Sequence, residues 1–418
     1  MNIISRIPTD KDSALVMANV YEEPRKPAYW EQALLSVWFL NTFVPLPLET
    51  PLRYLIVLWF LYQFVLFKEQ IIPVILKAWP LFLLPIFGLA SVVWAPYFGA
   101  AVRAGVLLML TPLVAVIIIS RFDISTVLRC LFFASVLALV ICAPYYSTMY
   151  WGGPFPQKNY FAQQMLFAAL LSFTTLLNEK SWPWTRALAA VAFPVALLFM
   201  LRAPSATAIV FAAVGITGLL GVKFVWGSIS RVRHLRSLLL IMVGGLVLLG
   251  GMIVVNETNQ NYLTDFLAAL GKDTTFTGRT TIWAAGRHAA EQSPILGTGL
   301  EGFWNISNGA AQSINELDYK PYGTKLTFHN AYLEVRVHLG YIGLALYLLM
   351  WAWCGYRLFS QFFRKSSLEM SAMLVFGGHP ETGYVSGLVV GLWAYWRLWD
   401  SHGRWVVTTA GLAALALS

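Results

Sequence analysis

The 418 residues carry 58% hydrophobic and only 12% charged side chains, with a mean hydropathy of +0.64, which excludes a soluble globular protein of this length. The formal charge of +9 is spread over the short breaks between apolar runs, a membrane-orientation pattern that argues against a nucleic-acid binder. Cys130, Cys142 and Cys354 all lie within apolar runs and outside any metal-binding spacing, so they imply neither a disulfide framework nor a metal site.

The first 29 residues are polar and lack an apolar core of signal-peptide type, so the first apolar run is expected to stay as an anchor. A helix needs roughly 20 apolar residues to cross a hydrocarbon core of about 30 Å. Such runs fall near 30–48, 51–67, 78–96, 100–120, 126–146, 160–177, 185–202, 206–226, 237–255 and 329–357, with weaker ones at 383–399 and 404–418. The alternating pattern of a β-barrel is absent. The pattern predicts an all-α polytopic membrane protein of about 12 transmembrane helices, without internal repeats.

From a cytoplasmic N-terminus, alternation puts Lys68 and Lys77, Arg121, Lys180 and Arg186, Lys223, Arg231, Arg233 and Arg236, and finally Arg357, Arg364 and Lys365 on the cytoplasmic side. The chain then divides into a cytoplasmic segment (1–29), nine helices within 30–255, a large periplasmic loop (256–328) between helices 9 and 10, and C-terminal helices (329–418).

Within that loop Gly278 precedes a helical stretch, 280–292, which stops at Ser293-Pro294 and passes into a turn rich in glycine: Gly297, Gly299 and Gly302. At about 100° per residue, Arg279 and Arg287 point within roughly 80° of each other, with Trp283 between them and His288 directed away. The next stretch, HNAYLEVRVHLGYIG (329–343), opens an apolar run. On an uninterrupted helix His329, Gly340 and Gly343 fall within roughly 60°, and the small residues let another helix approach the His face. Arg336 shares that face about 10 Å deeper, where it needs an anionic partner, such as Glu334 or a neighbouring carbonyl, or a wet cavity. From the residues alone His329 reads either as a water-exposed helix cap or as a group for chemistry. Arg202 reads as a snorkelling residue at the outer end of its span, and Arg279 and Arg287 as solvating charges of a loop helix.

Taken together these stretches resemble the bacterial O-antigen ligase and polymerase superfamily. HNAYLEVRVHLGYIG is similar to its His-Asn element followed nine residues later by Gly-x-x-Gly, and TGRTTIWAAGRHAAEQSPILGTGLEGFW (277–304) to its Gly-Arg-x-x-x-Trp and Pro-x-x-Gly-x-Gly elements. SVVWAPYFGAAVRAG (91–105), PFPQKNYFAQQ (154–164) and LRAPSATA (201–208) have a similar look. The resemblance implies a metal-independent, inverting glycosyl transfer at the periplasmic face of the inner membrane, with no cofactor. The donor would be a glycan on undecaprenyl diphosphate, and the acceptor a sugar hydroxyl of lipid A-core or of a growing glycan. It implies that His329 acts on the acceptor hydroxyl, that Arg279 holds the diphosphate with Arg287 and Arg202 assisting, and that Asn330, Arg336, Gly340 and Gly343 build the frame.

Three departures stand out. The family's Ser-Arg pair aligns with Ser205-Ala206, leaving Arg202, one turn earlier, as the substitute. His338 stands where the family commonly has Glu, and the segment after Lys365 is unlike the family. A ligase and an exopolysaccharide or O-antigen polymerase are both compatible with these motifs. A transporter or flippase fits the helix count, Arg103 and Arg336 equally well, but it would usually show internal repeats and helices broken near the midplane with charges there. The large external loop with its own helix favours an enzyme.

Overall fold

Proline positions and apolar run lengths decide where the helices begin and end. The computed structural model describes residues 27–179, 181–203, 205–226, 279–317, 319–328 and 330–364, which contain helices and connecting turns but no strand. The helices are α1 (Tyr29–Phe43), α2 (Glu49–Leu66), α3 (Lys68–Lys77), α4 (Pro80–Ala90), α5 (Phe98–Arg121), α6 (Ile124–Cys142), α7 (Lys158–Leu177), α8 (Pro183–Arg202), α9 (Ala206–Leu220), α10 (Arg279–Gln292), α11 (Gly309–Leu317) and α12 (Ala331–Arg364). Six stretches among the described residues are long and apolar enough to cross a membrane, or seven if the bent pair α2 and α3 is one span. The spans expected at 237–255, 383–399 and 404–418 lie outside the described residues.

Several expected spans are corrected in extent. The run at 30–48 stops as a helix at Phe43, because Pro45 forces Val44 into extended backbone (ψ 134°). The run at 78–96 gives only a short apolar helix, Pro80–Val93, which at 1.5 Å per residue covers about 20 Å of a core of about 30 Å. The run at 51–67 ends in a 97° bend, after which α3 sets off in a new direction.

α7 lies at the centre of the bundle. It is the least apolar of the spans, yet 72% of its most apolar stretch is buried, against 22% for that of Ala208–Val225. A helix sheathed by other helices rather than lipid tolerates Ser172, Thr174 and Gln163 in its buried face.

Of the basic residues expected on one side, Lys180, Arg231, Arg233, Arg236 and Lys365 lie outside the described residues, whereas Arg121 and Lys223 each pair with an acid at a helix end. Arg121, at the end of α5, reaches Glu31 at the start of α1 (3.4 Å), and its Nε donates to Gln63 near the end of α2 (3.3 Å). The Glu31 carboxylate also accepts from the Ala28 N–H (2.7 Å), while the guanidinium lies 3.6 Å over the Phe67 ring. Lys223, beyond α9, pairs with Glu179 between α7 and α8 and holds that exposed carboxyl below its usual range. The Arg121 pair is almost completely buried, so removing one partner strands the other charge. Arg121→Ala is expected to cost about 3–5 kcal/mol. The check is the thermal midpoint of the detergent-purified protein, where Glu31→Gln combined with Arg121→Gln should recover part of the loss.

A second, smaller core sits beside the bundle. Ile282 and Ala290 of α10, Phe303, Trp304, Ile314 of α11 and Phe328 pack with Leu333 and Val337 of α12.

Candidate functional site

The centre of this region is a break in α12. Gly340 adopts φ 64° and ψ −162°, backbone that only glycine takes up readily, so the helix is interrupted there and resumes beyond it. A break frees carbonyls before it and N–H groups after it, and buried backbone groups must find partners. Residues 294–299 supply them. Thr298 N–H donates to Val337 O (2.8 Å) and Gly299 N–H to His338 O (2.9 Å). In return Tyr341 N–H donates to Pro294 O (2.8 Å) and Ile342 N–H to Ile295 O (3.3 Å). A side chain at Gly340 would overlap the Ile295 carbonyl, and one at Gly297 (φ 70°) would overlap that of His338. The Pro-x-x-Gly-x-Gly element and the His-Asn element are therefore two halves of one hydrogen-bonded structure.

The bundle end holds this loop in turn. Trp94 Nε1 donates to Leu296 O (3.3 Å), Leu300 N–H donates to Ser91 Oγ (3.1 Å), and Gly299 packs on Ala95. The stretch beginning at Ser91 thus seats the loop at the end of α4.

His338 and Glu334 tie the loop to the start of α12. The buried His338 donates from Nδ1 to Gly299 O (3.1 Å), and its Nε2 lies 3.3 Å from Glu334 Oε1. The other carboxylate oxygen of Glu334 accepts the Phe328 N–H (2.8 Å). On the far side of the same residue, Trp283 Nε1 of α10 donates to Phe328 O (2.7 Å). The Phe328 ring is buried between Phe303, Trp304 and Gly286. Asn330 then caps α12, its Oδ1 accepting from Leu333 N–H (3.2 Å) and its carbonyl from Glu334 N–H (2.9 Å). The residues on both sides of position 329 are fixed by hydrogen bonds, although His329 itself lies outside the described residues.

Two expectations about α12 are corrected. A face shared with Gly340 and Gly343 presumed an uninterrupted helix, and the break at Gly340 removes that premise for the two glycines, while Arg336 and position 329 both precede it. Gly340 is approached by a loop, not by another helix, and Gly343 gives room to its own helix's Leu339 as the chain turns out of the break. Glu334 is also not the partner of Arg336, because its two oxygens are taken by His338 and Phe328 N–H. Arg336 instead lies over the Tyr341 ring (4.7 Å), with its Nε buried and without a hydrogen-bond partner among the described residues.

The arginines occupy two places. Arg279 opens α10, its side chain outside the described residues, and Arg287 is exposed on the same helix. Between them in the sequence Trp283 is the residue that meets the Phe328 carbonyl. Arg202 is exposed at the end of α8, over the Tyr146 ring (5.0 Å), and no described hydrogen bond or ion pair joins it to α10 or α12. Nearby in the chain Lys158 lies over Tyr150 (5.9 Å), so the aromatic turn Ala143–Trp151 carries two cations. The residue pattern alone assigns no role at the site to Lys158, Trp283, Glu334 or His338. For Glu334 and His338 the available signal is their spacing of four residues around the motif.

Residues 188–348 match the family described as O-Antigen ligase, a range that contains Arg202, Arg279, Arg287 and all of 329–343. The chain is also similar to the exopolysaccharide production protein ExoQ of Rhizobium meliloti (strain 1021). The two are 26% identical over 277 residues, which take in 64% of this chain and 62% of that relative. The match thus spans less than two thirds of the relative's length.

Proposed function

We propose, from the O-antigen ligase and polymerase superfamily that both matches support, that this multi-pass membrane protein is a metal-independent, inverting glycosyltransferase. It moves a glycan from undecaprenyl diphosphate to a sugar hydroxyl of lipid A-core at the periplasmic face of the inner membrane. His329 takes the proton of the acceptor hydroxyl, whose oxygen attacks the anomeric carbon from the side opposite the leaving group. The bond to the diphosphate breaks, and undecaprenyl diphosphate leaves with the electron pair. Its growing negative charge is met by Arg279, with Arg287 and Arg202 contributing.

The observation that carries this reading is the double hold on Phe328, through Glu334 on its N–H and Trp283 on its carbonyl. Position 329 follows directly on a backbone unit fixed by α12 and by the helix that bears Arg279 and Arg287. Positioning of this kind is what acid–base chemistry on a sugar hydroxyl requires. Trp283→Phe keeps an aromatic ring and removes the donor, so transfer should fall about tenfold at unchanged protein level. An unaltered rate in a single-turnover assay would remove Trp283 from this role.

Purified protein reconstituted with undecaprenyl-diphosphate glycan and acceptor tests the function itself. Turnover without nucleotide or ion gradient is expected, and no turnover with any acceptor would sink the reading. A second reading is a polymerase that lengthens the lipid-linked glycan, consistent with similarity to an exopolysaccharide production protein. In a deletion strain, unattached polymer identifies the ligase and loss of all long glycan identifies the polymerase.

A further inference from the structure

A cavity of about 120 Å³ opens between the start of α6, the end of α7 and the start of α8, at the bundle end that carries Arg121 and Lys223. Its lining combines the apolar Leu128, Phe132 and Leu171 with a polar set, Ser125, Arg129, Asn178 and Ser181, and with Trp182. The volume is that of about four waters, which is room for a phosphate group and a water or two.

The charge in this cavity is positive and unanswered. Arg129 donates from Nη2 to Thr126 Oγ1 (3.1 Å) and Gln32 Oε1 (3.4 Å), and its guanidinium lies 5.2 Å from the Trp182 ring centre. A guanidinium has five N–H donors, so most of them stay available to the cavity. Arg129 makes no ion pair with a carboxylate among the described residues. Asp123, the nearest in sequence, accepts from the Thr126 N–H (3.1 Å) and hydroxyl (2.6 Å), while Glu31 is taken by Arg121. A helix end adds to the same sign. α8 begins at the rim and presents its positive end, while the first turn of α6 is already capped by Asp123. Of the last carbonyls of α7, that of Leu176 accepts from Arg186 Nε (3.3 Å) and that of Thr174 from the Asn178 N–H (3.0 Å).

The depth of the cavity points to lipid. Trp182 lines it and is about half exposed, and the equally exposed Trp184, its ring 5.9 Å from that of Trp182, stacks on Phe133 (5.6 Å). Exposed tryptophans of this kind settle at the headgroup level of a bilayer. We propose that the cavity binds the phosphate diester of an anionic phospholipid headgroup, with the acyl chains outside along Trp184 and Phe133. The site is independent of the glycosyl-transfer reading.

Native mass spectrometry of the purified full chain tests it, with phosphatidylglycerol titrated against phosphatidylcholine of the same acyl chains. The wild type should prefer phosphatidylglycerol by about tenfold, the scale of a charge-assisted hydrogen bond. Arg129→Gln should lose the preference and Arg129→Lys keep part of it. Ser181→Phe, which fills the cavity and leaves the contacts of Arg129 in place, should lose it too, and it decides the matter if Arg129→Gln does not fold. No preference in the wild type, or a preference retained in Ser181→Phe, overturns the proposal. So does displacement of the lipid by equimolar inorganic phosphate, which would make the ligand a soluble phosphate.

Discussion

His329→Ala is expected to lower glycan transfer at least about a thousandfold while the protein still reaches the membrane at its normal level, since a positioned general base contributes in the range of about 10² to 10⁴. The substitution removes an imidazole from a place whose fold is secured by its neighbours. Phe328 keeps its bonds to Glu334 and Trp283, and Asn330 keeps its cap on α12. The loss should therefore emerge in the rate and not in insertion or thermal stability. Arg279→Ala should be comparably severe, because a diphosphate leaving group without its cation retains a costly charge in a site of low dielectric. Arg287→Ala and Arg202→Ala should be milder, since the remaining cations share that charge. Near-normal transfer by His329→Ala in reconstituted membranes would place the chemistry elsewhere, and the cations of the aromatic turn, Arg202 and Lys158, would then be the next to test.

Much of the bundle is legible in the order of the residues. Composition and run length reveal a membrane protein of many helices, but the pairing of Arg121 with Glu31 and of Lys223 with Glu179 is visible only in the structure. Periodicity is blind where the backbone leaves the helix. A 100° wheel drawn through 329–343 is sound only if every residue in it is helical, and Gly340 is not. Nothing in a hydropathy profile distinguishes a glycine that lets helices pack from one that breaks its own helix. Pairing is equally hidden. Glu334 lies two residues before Arg336 in sequence, but residues two apart on a helix do not face each other. The residue four positions away, His338, takes the carboxylate, and the loop carbonyl of Gly299 takes the other ring nitrogen.

The break itself makes the second large prediction. Gly340→Ala should abolish transfer and destabilise the protein by at least about 2 kcal/mol, the strain of a non-glycine residue in this backbone region before any steric overlap is added. The overlap is severe, because a methyl group at Gly340 points into the Ile295 carbonyl. Relieving it means pushing away the 294–299 loop, and with it the bonds from Thr298 and Gly299 to Val337 and His338. Once Gly299 moves, His338 loses its acceptor, Glu334 loses its brace, and the hold on Phe328 N–H loosens in turn. The damage thus travels from residue 340 to residue 328 through a chain of named contacts, without any change in charge or in the residues proposed for chemistry. Gly355→Ala is the control on the same helix, since an added methyl there meets nothing within 4 Å. It should leave both transfer and thermal midpoint unchanged. If Gly340→Ala behaves like Gly355→Ala, the broken helix does not organise the site, and the conformation at position 340 carries no functional weight.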